Sequence, residues 1–265
     1  MTLTDAELER YSRQLVMPEW SGAAQQRLRS ASAMVIGAGA LGCPAATYLV
    51  AAGIGRIGVV DDDKVEVSNL HRQPLHLTPD VGTRKAANAM VKLGFLNPEV
   101  VVEPFPARLE EFNAEALLAG ADVVVDCSDS FSTRYLVNDT SCALGIPLVE
   151  AGVLGLSGLV MSIRPRESAC YRCAFPVEPA PGSVPSCREA GVLGAIGGVL
   201  GSLQALEAIK LVTGVGEPLC DRILQFEGAT AAPTVIATSR RPDCPACGDL
   251  ARPAPAAAAT PEGAG

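Results

Sequence analysis

Arg72, Lys85, Asp129 and a run of aspartates from Asp61 are the side chains in this sequence best suited to phosphate chemistry. Arg72 lies in "SNLHRQ", residues 68–73, and supplies a planar, permanently charged fork that matches phosphate oxygens. Asn69 and Gln73 stand beside it as neutral polar groups, and Lys85 follows as a second cation on a short tether. Asp61 and Asp63 close the apolar run "RIGVVDDD", and Asp129 closes "ADVVVDCSD". Carboxylates in such places bind ribose hydroxyls or hard cations such as Mg²⁺. Paired cations suit a reaction that expels pyrophosphate, because negative charge grows on the leaving group. A hydride-transfer site has less need of them, since a helix N-terminus already holds the dinucleotide's pyrophosphate. Two plainer readings stand beside these: a solvated turn for the aspartates and a helix N-cap for Asp129.

A glycine turn must face those groups. It lies in "MVIGAGALGC", residues 34–43, where Gly37-x-Gly39-x-x-Gly42 follows an apolar run and opens a helix. Asp61 falls about 20 residues past the turn, where a Rossmann protein sets a carboxylate on the ribose. On those two features alone, an NAD-dependent oxidoreductase fits. Around the turn, alternating patterns predict strands at 33–37, 56–61, 99–105, 121–129 and 146–153, with helices at 43–52 and 82–93. Right-handed crossovers then give a Rossmann-like, doubly wound, mostly parallel α/β sheet. Residues 1–30 precede it as a helical arm broken at Pro18, and the nucleotide-binding region covers 31–151. Residues 152–249 extend the same domain with a strand at 155–163, a proline- and cysteine-rich loop at 164–187 and a small-residue helix at 192–212. The low-complexity end, 250–265, reads as a disordered tail.

Cys170-x-x-Cys173 and Cys244-x-x-Cys247 each have the bite of half a tetrahedral zinc site. An ion shared by pairs so far apart would tie the chain's end to its middle, and four thiolates leave no position for water. Two separate redox pairs are the alternative. Cys187, in "VPSCREAG", precedes a helix whose N-terminus would lower its pKa. Cys43, Cys127, Cys142 and Cys220 read as buried packing residues, and His71 and His76 as structural or surface groups. Nine cysteines without a secretion-like N-terminus argue against a disulfide framework and for a cytoplasmic protein. A net charge of −8 with no basic run speaks against nucleic acid as a partner. The uncharged run 190–206 is interrupted by glycine, serine and glutamine, short of the roughly 18 apolar residues that suggest a membrane span.

Taken in order, "RYSRQ", "GAGALG", "SNLHRQ", "GTRKA", "DCSDSFSTR", "CYRC", "CREAG", "GSLQALEAIK" and "CPACG" resemble the ubiquitin-activating-enzyme-like superfamily, specifically its bacterial ThiF/MoeB/HesA branch. The likeness covers nearly everything but the tail. It implies an adenylyltransferase that uses ATP to activate the C-terminal Gly-Gly of a small ubiquitin-fold sulfur carrier protein, releasing pyrophosphate. Sulfur would then pass to a cofactor, a cysteine or a thio-metabolite. By the same resemblance Gly37, Gly39, Ala40 and Gly42 cradle the nucleotide, Asp61 holds the ribose with Asp63 beside it, and Arg72 and Lys85 hold the phosphates. Asn69 and Gln73 would line the pocket, and Asp129 would organise Mg²⁺. Arg13 matches an arginine that reaches the neighbouring subunit's site, which implies a homodimer. The four paired cysteines match the family's structural Zn²⁺ site. Cys187 falls where some relatives bond covalently to the carrier and others do without that step, so it is assigned to a mobile loop or a nucleophile. The family often has glycine at Ala40, a change that is mild if φ stays negative. No sulfurtransferase domain follows the last cysteine pair, so a separate sulfur donor protein is expected. A non-catalytic relative that kept the fold is the remaining reading.

Overall fold

The computed structural model describes residues 3–180, 182–183 and 187–249. The apolar runs become β1 (Ser32–Ile36), β2 (Arg56–Val60), β3 (Val101–Phe105), β4 (Val123–Asp126), β5 (Leu148–Leu154) and β6 (Ser157–Ile163). The sequence pattern had not announced β7 (Arg222–Glu227) and β8 (Ala232–Ala237). All eight share one sheet, ordered β3-β2-β1-β4-β5-β6-β7-β8. The first five pair in parallel and the last three are added antiparallel, as the doubly wound reading requires with an extension. The expected boundary at 151/152 falls inside β5, so both regions belong to one sheet.

Both faces of the parallel half are covered, and the strands show why. Ala33 and Val35 of β1, Val123 and Val125 of β4, and Val149 of β5 pack into one core; Ile36, Val124 and Leu148 point into the other. The first core receives α3 (Gly22–Ser30), α4 (Gly42–Ala52), α5 (Lys85–Leu96) and α10 (Gly194–Thr213). The second receives α6 (Glu111–Leu118), α7 (Phe131–Leu144) and α8 (Tyr171–Ala174). By length and composition α10 could cross a bilayer, yet it lies against α4, β5 and β6 and buries Glu207, which bonds Ser162 Oγ at 2.7 Å.

Three differences from expectation are local, and two have a visible cause. The N-terminal arm holds α1 (Asp5–Arg10), α2 (Ser12–Leu15) and α3, each capped or stopped separately rather than broken once at Pro18. α5 begins at Lys85 instead of 82, because Gly82 has φ +90° and Arg84 remains extended in a bridge to Lys64. Cys220 is half-buried rather than buried. The tail expected over 250–265 lies outside the described residues.

Candidate functional site

The glycine turn leaves β1 with Gly37 at φ +94°, a conformation costly for any side chain with a Cβ. A Cβ on Gly42 would lie 1.8 Å from the Gly37 carbonyl oxygen, so only glycine lets α4 start this close to the turn. Ala40 keeps a negative φ: among the described residues the non-glycine positive values belong to Arg166, Asp221 and Ala231. The family's frequent glycine is therefore replaceable there.

Asp61, just past β2, laces two strand ends together. Its carboxylate accepts the Ala38 amide at 2.8 Å and the Asp63 amide at 2.9 Å. Burial raises its pKa above the usual carboxylate value, against the pull of Lys85. As the first residue of α5, Lys85 points inward and places Nζ 2.8 Å from Asp63 Oδ2. The lysine side chain is 6% exposed and the aspartate 57%, so the cation is sequestered while its partner meets solvent.

The segment carrying Arg72 folds back on itself. Asn69 accepts the Glu66 amide at 3.1 Å and shapes a short 3₁₀ turn, Val67–Asn69. Gln73 is buried beside Gly39, its Oε1 without a partner among the described atoms. Arg72 is half-buried, donates to the Ser68 carbonyl at 2.7 Å and lies 2.8 Å from His71 Nε2. Its guanidinium is thus parked on its own loop, next to the backbone that meets Gly194 at the start of α10.

His76, read from the sequence as a structural or surface group, is structural. His76 is 2% exposed, and its Nε2 lies 3.1 Å from the Ala38 carbonyl oxygen, inside the glycine turn. Asn88 Nδ2 donates to its Nδ1 at 2.8 Å, which assigns the proton to Nε2. Burial lowers the imidazole pKa and keeps it neutral. Asn88 follows Lys85 by one helical turn, so a single face of α5 supplies both the buried cation and the brace. That spacing was the available signal.

Asp129 follows β4, whose Asp126 pairs with Ile36 of β1; a Cβ on Gly37 would approach Cys127 O to 3.0 Å. The turn carrying Asp129 therefore lies against the glycine turn. Asp129 is exposed, and the N-cap of α7 is Ser130, which accepts the Thr133 amide at 3.3 Å. The capping alternative for Asp129 is thereby removed. Arg13, by contrast, does not join this group. α2 docks at the far end of α4, where Gln14 donates to the Ala52 carbonyl at 3.2 Å and the Tyr11 ring covers Gly53. Eleven helical residues separate that end from the glycine turn, about 16 Å at 1.5 Å per residue. Cys187 opens the short helix α9 (Cys187–Ala190), and its side chain lies outside the described residues.

At the other end, the four paired cysteines converge. Cys170 Sγ lies 3.8 Å from Cys173 Sγ and 3.6 Å from Cys244 Sγ, and Cys173 Sγ lies 3.5 Å from Cys247 Sγ. All four sulfurs fall within 4.8 Å of one another and all four residues are buried. A tetrahedron with metal–sulfur bonds of about 2.3 Å has edges of about 3.8 Å. The donor set and spacing fit a thiophilic divalent ion.

Comparison with known proteins places the chain in a known family. The family model described as "ThiF family" matches residues 11–246. The chain is 48% identical to a sulfur carrier protein adenylyltransferase of Thermus thermophilus, over 94% of both chains. It is 45% identical to the SAMP-activating enzyme E1 of Haloferax volcanii, over 94% of this chain and 92% of the other. Among solved structures, E. coli MccB with ATP superposes with a TM-score of 0.80 at 22% identity, covering 92% of this chain and 75% of that one. At that identity the likeness shows the fold.

Proposed function

The chain belongs to the ThiF family, and on that premise we propose that it is an ATP-dependent adenylyltransferase joining AMP to the C-terminal Gly-Gly carboxylate of a ubiquitin-like sulfur carrier protein, with release of pyrophosphate. The observation that carries the reading is the set of groups around the glycine turn: a buried Lys85, a nearby Arg72 and an exposed Asp129. Hydride transfer gives those cations nothing to do. Phosphoryl chemistry does.

In this reading the amides of the glycine turn and Asp61 hold the nucleotide, with Asn69 and Gln73 lining its pocket. Gln73 Oε1, buried and without a partner among the described residues, has an acceptor to offer a nucleotide hydroxyl or amine. The carrier's carboxylate attacks the α-phosphate in line, so no protein nucleophile is needed. Arg72 swings from its own loop to the phosphates, and Lys85 leaves Asp63 or shares it, as charge grows on pyrophosphate. Mg²⁺, held by Asp129, would neutralise phosphate charge. The placement of Arg13 beyond reach of its own site supports a homodimer in which it serves the partner's nucleotide. Zn²⁺ in the four-cysteine cluster would be structural, and sulfur would come from a separate donor protein.

The test is carrier-dependent exchange of labelled pyrophosphate into ATP by the purified protein. Arg72→Ala and Asp129→Ala should each lower it by about 10²–10³, as loss of a group stabilising developing charge does. Undiminished exchange in both variants overturns the site.

A further inference from the structure

Beneath the turn that carries Asp129 lies a buried ionic cluster to which the proposed chemistry assigns no work. Asp126 of β4 and Glu150 of β5 are partners in the parallel register, and both are 0% exposed. Both side chains leave the sheet on the face covered by α7, since Val124 and Leu148, two residues earlier on each strand, line that core. α7 supplies Arg134, with Nε 3.5 Å from Glu150 Oε1. A Cβ on residue 152 would meet Arg134 Nη1 at 2.4 Å, so Gly152 leaves the space in which the guanidinium lies flat against β5.

The cluster grips one residue from both sides. Ser128 N donates to Asp126 Oδ1 at 2.9 Å, and Ser128 O accepts from Arg134 Nη2 at 3.1 Å. Both backbone polar groups of the residue before Asp129 are therefore held by buried charges. Among the described residues, Asp126 Oδ2 and both oxygens of Glu150 have no hydrogen-bond donor. Three buried acceptors beside one guanidinium, which is paired with Glu150, are satisfied if Glu150 carries a proton and donates it to Asp126. Burial first, and the neighbouring Asp126 second, push the Glu150 carboxyl well above its ordinary pKa, consistent with that accounting.

We propose that Glu150, through Asp126 and Arg134, is a positioning residue for adenylation: the cluster clamps Ser128 and so aims the Asp129 carboxylate at the nucleotide's metal ion. The inference rests on the reading of Asp129 given above. Glu150 touches neither substrate nor metal, so its removal should alter metal dependence more than the fold.

The experiment compares Glu150→Gln with Glu150→Val in the full-length protein, and adds Arg134→Lys in case the valine variant does not fold. Glutamine keeps an N–H for Asp126 and an oxygen for Arg134, valine keeps neither, and lysine loses the fork that reaches Ser128. Two quantities are read: hydrogen exchange of the 127–131 segment without nucleotide, and the Mg²⁺ concentration giving half-maximal pyrophosphate exchange. Glu150→Val and Arg134→Lys should raise both by about tenfold or more, the scale of one lost charge-assisted hydrogen bond, while Glu150→Gln stays within about threefold. Unchanged values in valine and lysine variants, or a glutamine variant as impaired as valine, overturn the clamp. A wild-type protein without pyrophosphate exchange overturns the activity reading instead, and hydrogen exchange of the segment then decides the clamp alone.

Discussion

In the half of the sheet built from β1 to β5, the candidate residues gather beyond the carboxyl ends of parallel strands, where Asp61 and Arg72 bond backbone groups and Lys85 bonds the Asp63 carboxylate. In the half built from β6 to β8, four cysteines distant in sequence meet beside antiparallel strands whose outermost member is exposed along its whole length. The first region has a two-sided aliphatic core that stands without the site's charges, so the site spends stability rather than supplying it: Asp61, Lys85 and the Asp126–Glu150 pair are charges held in partly or wholly buried places. The second region shares its core with the first, through α7 and α8, and the four-cysteine cluster adds a cross-link from α8 to the segment beyond β8. Damage should therefore cost chemistry in one half and structure in the other.

The largest expected effect tests the cross-linked half. Cys244→Ser removes one of four thiolates from a cluster that has no spare ligand among its members. Bound zinc should fall from about one per chain towards zero, with loss of about 3–5 kcal/mol and a Tm lower by about 10 °C. Limited proteolysis should then begin beyond Arg164. A variant that retains the wild-type Tm would erase the contrast between the halves.

Lys85→Ala is the matching test of the other half. Because Lys85 is sequestered beside an exposed Asp63, removing it relieves a desolvated charge while emptying the phosphate site. kcat/KM for pyrophosphate exchange should fall by about 10²–10³, roughly 3–4 kcal/mol of transition-state stabilisation, with Tm displaced by no more than about 2 °C. A Tm loss as large as that of Cys244→Ser would mean that the site also holds up the fold.

The same contrast explains what the sequence disclosed. β1, β2, β4 and β5 are buried on both faces, so each reads as a short, largely apolar run between turns, with Glu150 as the buried exception inside β5. The glycine turn and Asp61 lie directly after such runs and Lys85 at the next helix start, while Arg72 was legible from the string "SNLHRQ" in the loop between them. β7 and β8 did not stand out: "RILQFE" mixes charge with apolar residues, and "APTVIA" is exposed at all six positions and carries Pro233, tolerated because β8 is an edge. His76 with Asn88, and Glu150 with Arg134, become meaningful only when separate elements are brought face to face. Arg13 was legible as a motif, yet its distance from the glycine turn follows from where Tyr11 and Gln14 dock.

The smallest effect separates the two halves most finely, because it holds the energetic cost equal. Ser130→Ala removes the N-cap of α7, next to Asp129, and should cost about 1 kcal/mol, near 3 °C in Tm. Ser157→Ala removes the 2.6 Å bond between Ser157 Oγ and Glu227 Oε2, which joins β6 to β7, and should cost about as much. The cap lies on the segment that aims Asp129, so its loss should raise the Mg²⁺ requirement for pyrophosphate exchange about two- to threefold, the kinetic share of a fraction of that energy. The β6–β7 bond touches no part of that segment, so its loss should leave the Mg²⁺ requirement where it was. If both variants shift Tm equally but only Ser130→Ala shifts the metal dependence, the route from scaffold to chemistry runs through the 128–130 turn. Equal kinetic effects would instead mean that the sheet transmits any local loosening to the site.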